Sequence, residues 1–287
     1  LPPEASGALG FSTCGAFVDE GVEGASEGVA HEDGLLFVTD GENDAIDVFE
    51  NTPDGELVRS IDLAALEGYG GIQSLDVANG VLAAAIERDP VEVGGELVSQ
   101  PGFVALFDAA TGDLLSTVDV GNLPDAVAFS PDGTRLAVAG EGEFNEDSDH
   151  VDDPLGTVAL VDVTDPEAPS ADIVDFAGVS VPDGVRVFPG NDFAEDAEPE
   201  YVAFSADGST VFASLQENNA IAAIDVASGT VSDVLPLGRV DFGTGPALDP
   251  LDDGEITIRN IDGVKGLRMP DAIATYEAGG RSEEHTS

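Results

Sequence analysis

Three features of the 287-residue sequence predict an all-β chain built from one repeated four-stranded unit. The first is a long internal repeat. Pro124–Val163 opens with PDAVAFSPDGTRLAVAG and closes with GTVALVDV, and Pro199–Val226 says nearly the same in PEYVAFSADGSTVFASLQENNAIAAIDV. The second is strand composition. Runs such as Ala126–Phe129 and Leu82–Ile86 are apolar at successive positions and rich in Ala. Such strands need cover on both faces, and small residues suit sheets that stack face to face and narrow toward an axis. A sandwich would alternate apolar and polar more cleanly. The third is the near absence of helical periodicity, with one turn at most at Asp62–Leu66. Together these predict a β-propeller of four-stranded blades.

The elements follow from the repeat. Ala126–Phe129 and Arg135–Ala139 flank Ser130-Pro131-Asp132-Gly133, in which Pro fixes φ, Asp tolerates the bend and Gly supplies the positive φ that closes a hairpin. Thr157–Val163, β-branched and apolar, is the next strand. Laid over the chain, the unit recurs from Glu27–Asp40 into Ala45–Phe49, a turn at Asn51–Gly55 and a fourth strand at Leu57–Leu63. It recurs again from Gln73–Ile86 into Gly102–Asp108, a turn at Ala110–Gly112 and Leu114–Val120. A last opening, Pro270–Tyr276, has no evident partner strands after it.

With Val29, Leu75, Val127, Val202 and Ile273 taken as equivalent, the steps are about 46, 52, 75 and 71 residues, where blades of four strands need about 40–50. The excess places insertions at Gly142–Leu155, Pro166–Glu198 and Val240–Met269. Residues 24–280 are therefore expected to form the propeller, after a lead-in at 1–23 that is irregular or part of a blade. About four to five blades are expected here, an incomplete ring of about seven or eight in the full-length protein. The closing heptapeptide, Arg281–Ser287, shares neither the repeat nor the composition before it. It resembles the in-frame translation of a sequencing adapter and is expected to be a non-native tail outside the fold.

Charge bounds the function. The chain carries 58 acidic and 9 basic residues, a formal charge of −49, with Lys265 as its sole lysine. Hydrophobic content of 42% separates it from an acidic disordered tail. The acids are spread over turns and loops. Their mutual repulsion opposes compaction at low ionic strength, and molar salt would screen it, so a hypersaline or salt-accumulating setting is expected. The same charge excludes a nucleic-acid partner, which would require Lys and Arg on its phosphates. Cys14 is unpaired, so no intrachain disulfide exists, and Phe11-Ser12-Thr13 before it lacks the regions of a signal peptide. No run reaches the ~18 apolar residues of a membrane helix.

Candidate site residues follow from propeller geometry, in which the loop before each innermost strand and the loop after each second strand open on one face, around the central channel. Two residues before each reference position stand Glu27, Gln73, Asp125, Glu200 and Asp271. The loops after the second strands carry Asp40, Glu42, Asn43 and Asp44; Glu87 and Asp89; Glu141 and Glu143; and Glu217, Asn218 and Asn219. Hard oxygen donors from several blades suit Ca²⁺, with Glu27, Asp125, Glu200, Asp271, Glu141 and Glu217 as the ligand set. A chain this acidic also places carboxylates in every loop by composition alone, so both readings stand at this point. The acid-dense stretch Glu141–Asp153 lacks the spacing of an EF-hand and reads as a solvated loop. His31 and His150 have no partners at zinc spacing. There is no P-loop or C-x-x-C-H motif. Glu87-Arg88-Asp89 and Arg268 leave one enzymatic alternative, a metal-dependent phosphoesterase of alkaline-phosphatase or phytase type.

The strings LPDAVAFSPDGTRLAVAGEGE (Leu123–Glu143), EPEYVAFSADG (Glu198–Gly208), LQENNAIAAIDV (Leu215–Val226), LPLG (Leu235–Gly238) and VKGLRMPDAIATYE (Val264–Glu277) together resemble the choice-of-anchor I family, within the YVTN/WD40-like propeller superfamily. The resemblance runs from about Gly24 to Gly280. It implies a secreted or cell-surface protein whose propeller precedes an anchoring signal. The function expected is a non-catalytic binding module that presents its loop-rich top face to a ligand or protein partner, with Ca²⁺.

Overall fold

A computed structural model of the chain describes residues 26, 28–52, 54–142, 154–251, 254–278 and 281–286. The lead-in at 1–23 with Cys14, the candidate Glu27, and Glu143 and His150 of the acidic loop lie outside the described residues.

Four antiparallel sheets of four strands account for most of the chain. The first blade holds β1 (Val29–Glu32), β2 (Leu35–Asp40), β3 (Ala45–Glu50) and β4 (Leu57–Asp62) in sequence order. The second begins with β5 (Tyr69–Ala78) and β6 (Val81–Arg88), gives off a separate ribbon, β7 (Val91–Val93) with β8 (Glu96–Val98), and resumes with β9 (Pro101–Asp108) and β10 (Leu114–Asn122). The third is β11 (Pro124–Phe129), β12 (Arg135–Gly140), β13 (Thr157–Asp162) and β14 (Ser170–Val174). A short helix, α1 (Phe193–Asp196), precedes the fourth: β15 (Pro199–Phe204), β16 (Thr210–Leu215), β17 (Ala220–Asp225) and β18 (Thr230–Pro236). Then come two hairpins, β19 (Arg239–Asp241) with β20 (Lys265–Leu267), and β21 (Ile273–Ala278) with β22 (Arg281–Thr286).

Each reference position of the repeat falls on a first strand, and those strands are neighbours in turn: β1 beside β5, β5 beside β11, β11 beside β15, β15 beside β21. Two side-chain stitches tie β5 to β11. The Phe129 amide donates to Asp76 Oδ2 at 2.7 Å and the Val127 amide to Ser74 Oγ at 3.3 Å. Burial pushes the Asp76 carboxyl up, against the lowering effect of the Phe129 and Val77 amides.

The core explains the apolar strands. Leu82, Ala84 and Ile86 of β6 pack toward Phe37, Ile46 and Val48 of the first blade, whereas Ala83 and Ala85 pack toward Leu136 and Val138 of the third. In turn Ala137 and Ala139 of β12 face Val211 and Ala213 of the fourth. Successive residues of one strand thus serve two different interfaces, which is the covered-on-both-sides condition the composition implied. The hairpin turn is as expected. Gly133 has φ +69°, and its amide donates to Ser130 O at 2.8 Å.

Two features depart from expectation. The stretch expected as an insertion, Pro166–Glu198, contains the outer strand of the third blade, Ser170–Val174. Only Val174 of that strand is buried, so an outermost strand carries almost no apolar pattern to read. Arg281–Thr286, expected outside the fold, pairs antiparallel with β21, from Ile273↔Thr286 to Ala278↔Arg281. Backbone pairing along a strand edge needs no apolar pattern.

Candidate functional site

Chain direction decides which loops share a face. Pro124 pairs with Gly140 and Pro199 with Leu215, so the starts of β11 and β15 lie at the same end as the loops that follow β12 and β16. This top face carries Asp125, Glu200 and Asp271 immediately before or within the first strands, and Glu141 and Glu217 on the second-strand loops.

Glu200 is the centre of the group. Half-buried, its carboxyl is pushed up to about 7, first by burial and then by the negative charges of Asp125, Asp271, Glu217 and Glu198. Three of these four neighbours are residues the repeat register singled out. Glu198 was not, and its only signal is its position two residues ahead of Glu200. Glu141 stands at the end of β12 on the same face, its amide donating to Leu123 O at 2.9 Å. Gln73, the one non-acidic member of the register, donates from Nε2 to Glu87 Oε2 at 3.1 Å. The negative field extends across the face: Tyr69, at the start of β5, is pushed up to about 12 by burial, then by Asp44 and Asp40.

The segment between β14 and β15 holds this face in place. Asp192 caps α1, accepting from the amides of Ala194 and Glu195, while Glu195 accepts from the Asp192 amide. Phe193 meets Phe176 edge-on with centroids 5.8 Å apart, anchoring the segment in the core shared by the third and fourth blades. From there Arg186 reaches Glu217, its Nη1 donating to Oε2 at 2.7 Å and to the backbone oxygen at 2.8 Å. Arg186 thus brings a cation to the carboxylate group. Gly156 marks how closely the elements approach, since a Cβ there would sit 1.9 Å from Ala197 O.

Asn218 and Asn219, which the sequence offered as loop ligands, are structural. Both are fully buried. Asn218 Nδ2 donates to Arg186 O, Asp196 O and Asp196 Oδ2 at 2.8–3.0 Å. Asn219 has φ +53°, donates to Gly238 O at 2.8 Å, and accepts from the Arg268 and Met269 amides. One loop of the fourth blade therefore clamps the segments on both of its sides.

The two arginines of the phosphoesterase alternative have other partners. Arg88 pairs with Asp119 at 2.7 Å, donates to Pro101 O and lies over the Phe103 ring at 4.8 Å. Arg268 donates through Nε to Leu237 O at 3.0 Å. His31 is exposed on β1. Among the described residues no group of three His, Cys, Asp or Glu side chains is assembled to hold a metal ion, and no helix is long and apolar enough to cross a membrane. A cleft of about 660 Å³ lies away from the carboxylates, between β14 and β18.

Solved structures resemble the chain in part. Hydrazine synthase of Kuenenia stuttgartiensis is 15% identical with a TM-score of 0.49, over 80% of this chain and 69% of that one. The Cps50 (Swd1) β-propeller domain of Myceliophteria thermophila is 14% identical with a TM-score of 0.48, over 83% and 72%. A chain of the mitotic checkpoint complex is 12% identical with a TM-score of 0.48, over 88% and 69%. At these values the likeness says nothing of ligand or activity. Comparison with curated proteins gives no match. The choice-of-anchor I domain matches residues 28–282, the whole of the repeat array from β1 into β22, and the chain belongs to that family.

Proposed function

We propose that this propeller is a non-catalytic binding module of a secreted or cell-surface protein, adapted to high salt, which presents its top face to a ligand or protein partner. Membership of the choice-of-anchor I family supports the surface location. The observation that carries the binding role is the group of carboxylates around Glu200, where burial first and then the neighbouring negative charges raise Glu200 to about 7. Like charges held together at a stability cost, at one end of a repeat array, are better suited to a ligand than to the fold.

Ca²⁺ fits this group by donor chemistry, since carboxylate oxygens from Asp125, Glu200, Glu217 and Asp271 are hard ligands. They are not preassembled as a metal cage, so binding would be of the weak kind found in extracellular modules, with Kd of roughly 10⁻⁴–10⁻³ M. Thermal melts in molar KCl with and without Ca²⁺ test this. At ten times Kd the stabilisation is about 1.4 kcal/mol. Glu200→Gln should remove most of the Ca²⁺-dependent rise in Tm, and no rise in the native protein would remove calcium from the proposal.

A further inference from the structure

The end of the blades opposite the top face carries a chemically reactive turn that the binding role does not use. Asn79-Gly80 is the one Asn-Gly step in the sequence; every other asparagine is followed by a residue with a Cβ. It forms the two-residue turn between β5 and β6, closed by the Ala78↔Val81 pair, with φ +53° at Asn79 and +77° at Gly80. Those left-handed values are the ones a type I′ hairpin needs. Both residues are exposed.

This turn is tied to the blade on either side. Asn79 Nδ2 donates to Asp132 O of the third blade at 2.9 Å. The Gly80 amide donates to Glu32 Oε2 of the first blade at 2.8 Å. A Cβ on Gly133 would lie 2.2 Å from Asn79 Nδ2 and 2.8 Å from its Cγ, so the carboxamide fills space that only a glycine leaves. The first blade makes the same kind of turn with Asp33-Gly34, at φ +47° and +81°. An aspartate therefore fits this geometry, and what it lacks is the donor that joins blade to blade.

We propose that Asn79 is a site of spontaneous deamidation, held back by the bonds to the neighbouring blades, and that the reaction releases the second blade's turn from the third. The Gly80 nitrogen gives up its proton to a solvent base and attacks Asn79 Cγ. A C–N bond forms and closes a five-membered imide; the Cγ–Nδ2 bond breaks, and Nδ2 leaves as ammonia with a proton returned from solvent. Water then opens the imide at either carbonyl, to aspartate or isoaspartate. Gly80 makes the attack accessible, since no Cβ crowds its nitrogen. In the closed turn that nitrogen holds its proton on Glu32, and Nδ2 is engaged with Asp132 O, so both must let go before they meet. In either product a carboxylate oxygen stands where the donor was. It faces the Asp132 carbonyl oxygen, another acceptor, so the contact cannot reform.

Peptide mapping by mass spectrometry after incubation in molar KCl at pH 8 tests the site. Deamidation should accumulate at Asn79 ahead of every other asparagine of the folded chain. Glu32→Ala removes the acceptor of the Gly80 amide and should speed the reaction several-fold, with circular dichroism verifying the fold. Asn79→Asp stands for one of the two products. It should fold with a Tm lower by roughly 2 °C, as the loss of a single hydrogen bond predicts for a chain of this size. A folded chain in which Asn79 reacts no faster than the other asparagines overturns the site. A rate unchanged or slowed in Glu32→Ala overturns the hold by the neighbouring blades, and an Asn79→Asp chain as stable as the native one overturns the release.

Discussion

The two ends of the blades use carboxylates in opposite ways. At the bottom, Asp132 accepts from Ser130 Oγ, Thr134 N and Thr134 Oγ1, and Asp207 does the same with Ser205 and Ser209. Such bonds hold Asp207 down at about 2, led by the Ser209 and Ser205 hydroxyls. Asp108, Asp162 and Asp225, at the bottom ends of β9, β13 and β17, are lowered as well, each chiefly by a backbone amide two or three residues on. At the top, Glu200 is raised to about 7 by burial and by its acidic neighbours. The difference lies in what surrounds the oxygen: turn amides and hydroxyls that favour the charge, or desolvation and like charge that oppose it. Asp132 and Asp207 at the bottom close hairpins, whereas Glu200 at the top is held charged at a cost.

The largest way to break this contrast is to release the segment that shapes the top. Asn218→Ala removes three hydrogen bonds from a fully buried side chain and leaves Asp196 with a buried carboxylate oxygen short of a donor. The expected loss is about 2–3 kcal/mol. Amide hydrogen exchange should show it locally, with Arg186 and Phe188 losing protection because their amides donate to Asn218 O and Asp196 Oδ2. Glu200 should then titrate closer to the ordinary glutamate range, as the Glu217 loop and Glu198 relax away from it. Protection unchanged in Asn218→Ala would mean that the core contacts of Phe176 and Phe193 suffice to hold the segment.

A smaller effect sharpens the contrast directly. Because Glu200 is raised from 4.5 to about 7, the folded state prefers the protonated acid. No penalty exists below pH 4.5, it grows between pH 4.5 and 7, and it is complete above pH 7. Stability from this residue therefore falls as pH rises. Glu200→Gln should remove that slope and stabilise the protein at pH 8 by roughly 1 kcal/mol, a figure reduced for a half-exposed group in salt. Melts at pH 5 and pH 8 check it, and a native chain with no steeper decline than the variant would dissolve the contrast between the two faces.

How much of this was legible in the sequence differs between the two ends. The bottom was nearly all legible, because Ser-Pro-Asp-Gly and Ser-Ala-Asp-Gly specify a turn within five residues and the bonds to the Asp132 and Asp207 carboxylates are local. The first strands were legible for a related reason: Val127 and Val202 sit in equivalent strings, and two buried faces leave a long apolar run. The top was legible only as a register. Asp125, Glu200, Glu217 and Asp271 are far apart along the chain, and spacing placed them on one face without showing that they act on one another. Arg186 and Asp196 were invisible, since the segment that presents them has no repeat partner, and its one helix is announced only by Asp192 and Glu195. Asn218 and Asn219 were misplaced for the same reason. A short polar loop reads as exposed until the segments that bury it are known.

The smallest expected effect tests whether the bottom turns are interchangeable. Asp207→Asn keeps the side-chain shape and removes the charge that the Ser205 and Ser209 donors favour. The native residue, held at about 2 against an ordinary 3.8, contributes stability that is present above pH 3.8 and lost as pH falls through about 2. The variant should therefore melt slightly below the native protein at pH 6, with the gap closing in acid, the reverse of the trend for Glu200→Gln. Asp132→Asn should behave alike, since Asp132 is lowered by the same set of bonds from Ser130 and Thr134. Equal shifts would show that the turn chemistry is carried by the repeat itself. Unequal ones would point to the neighbour that only Asp132 has, Asn79 of the adjoining blade, whose Nδ2 donates to its backbone oxygen at 2.9 Å.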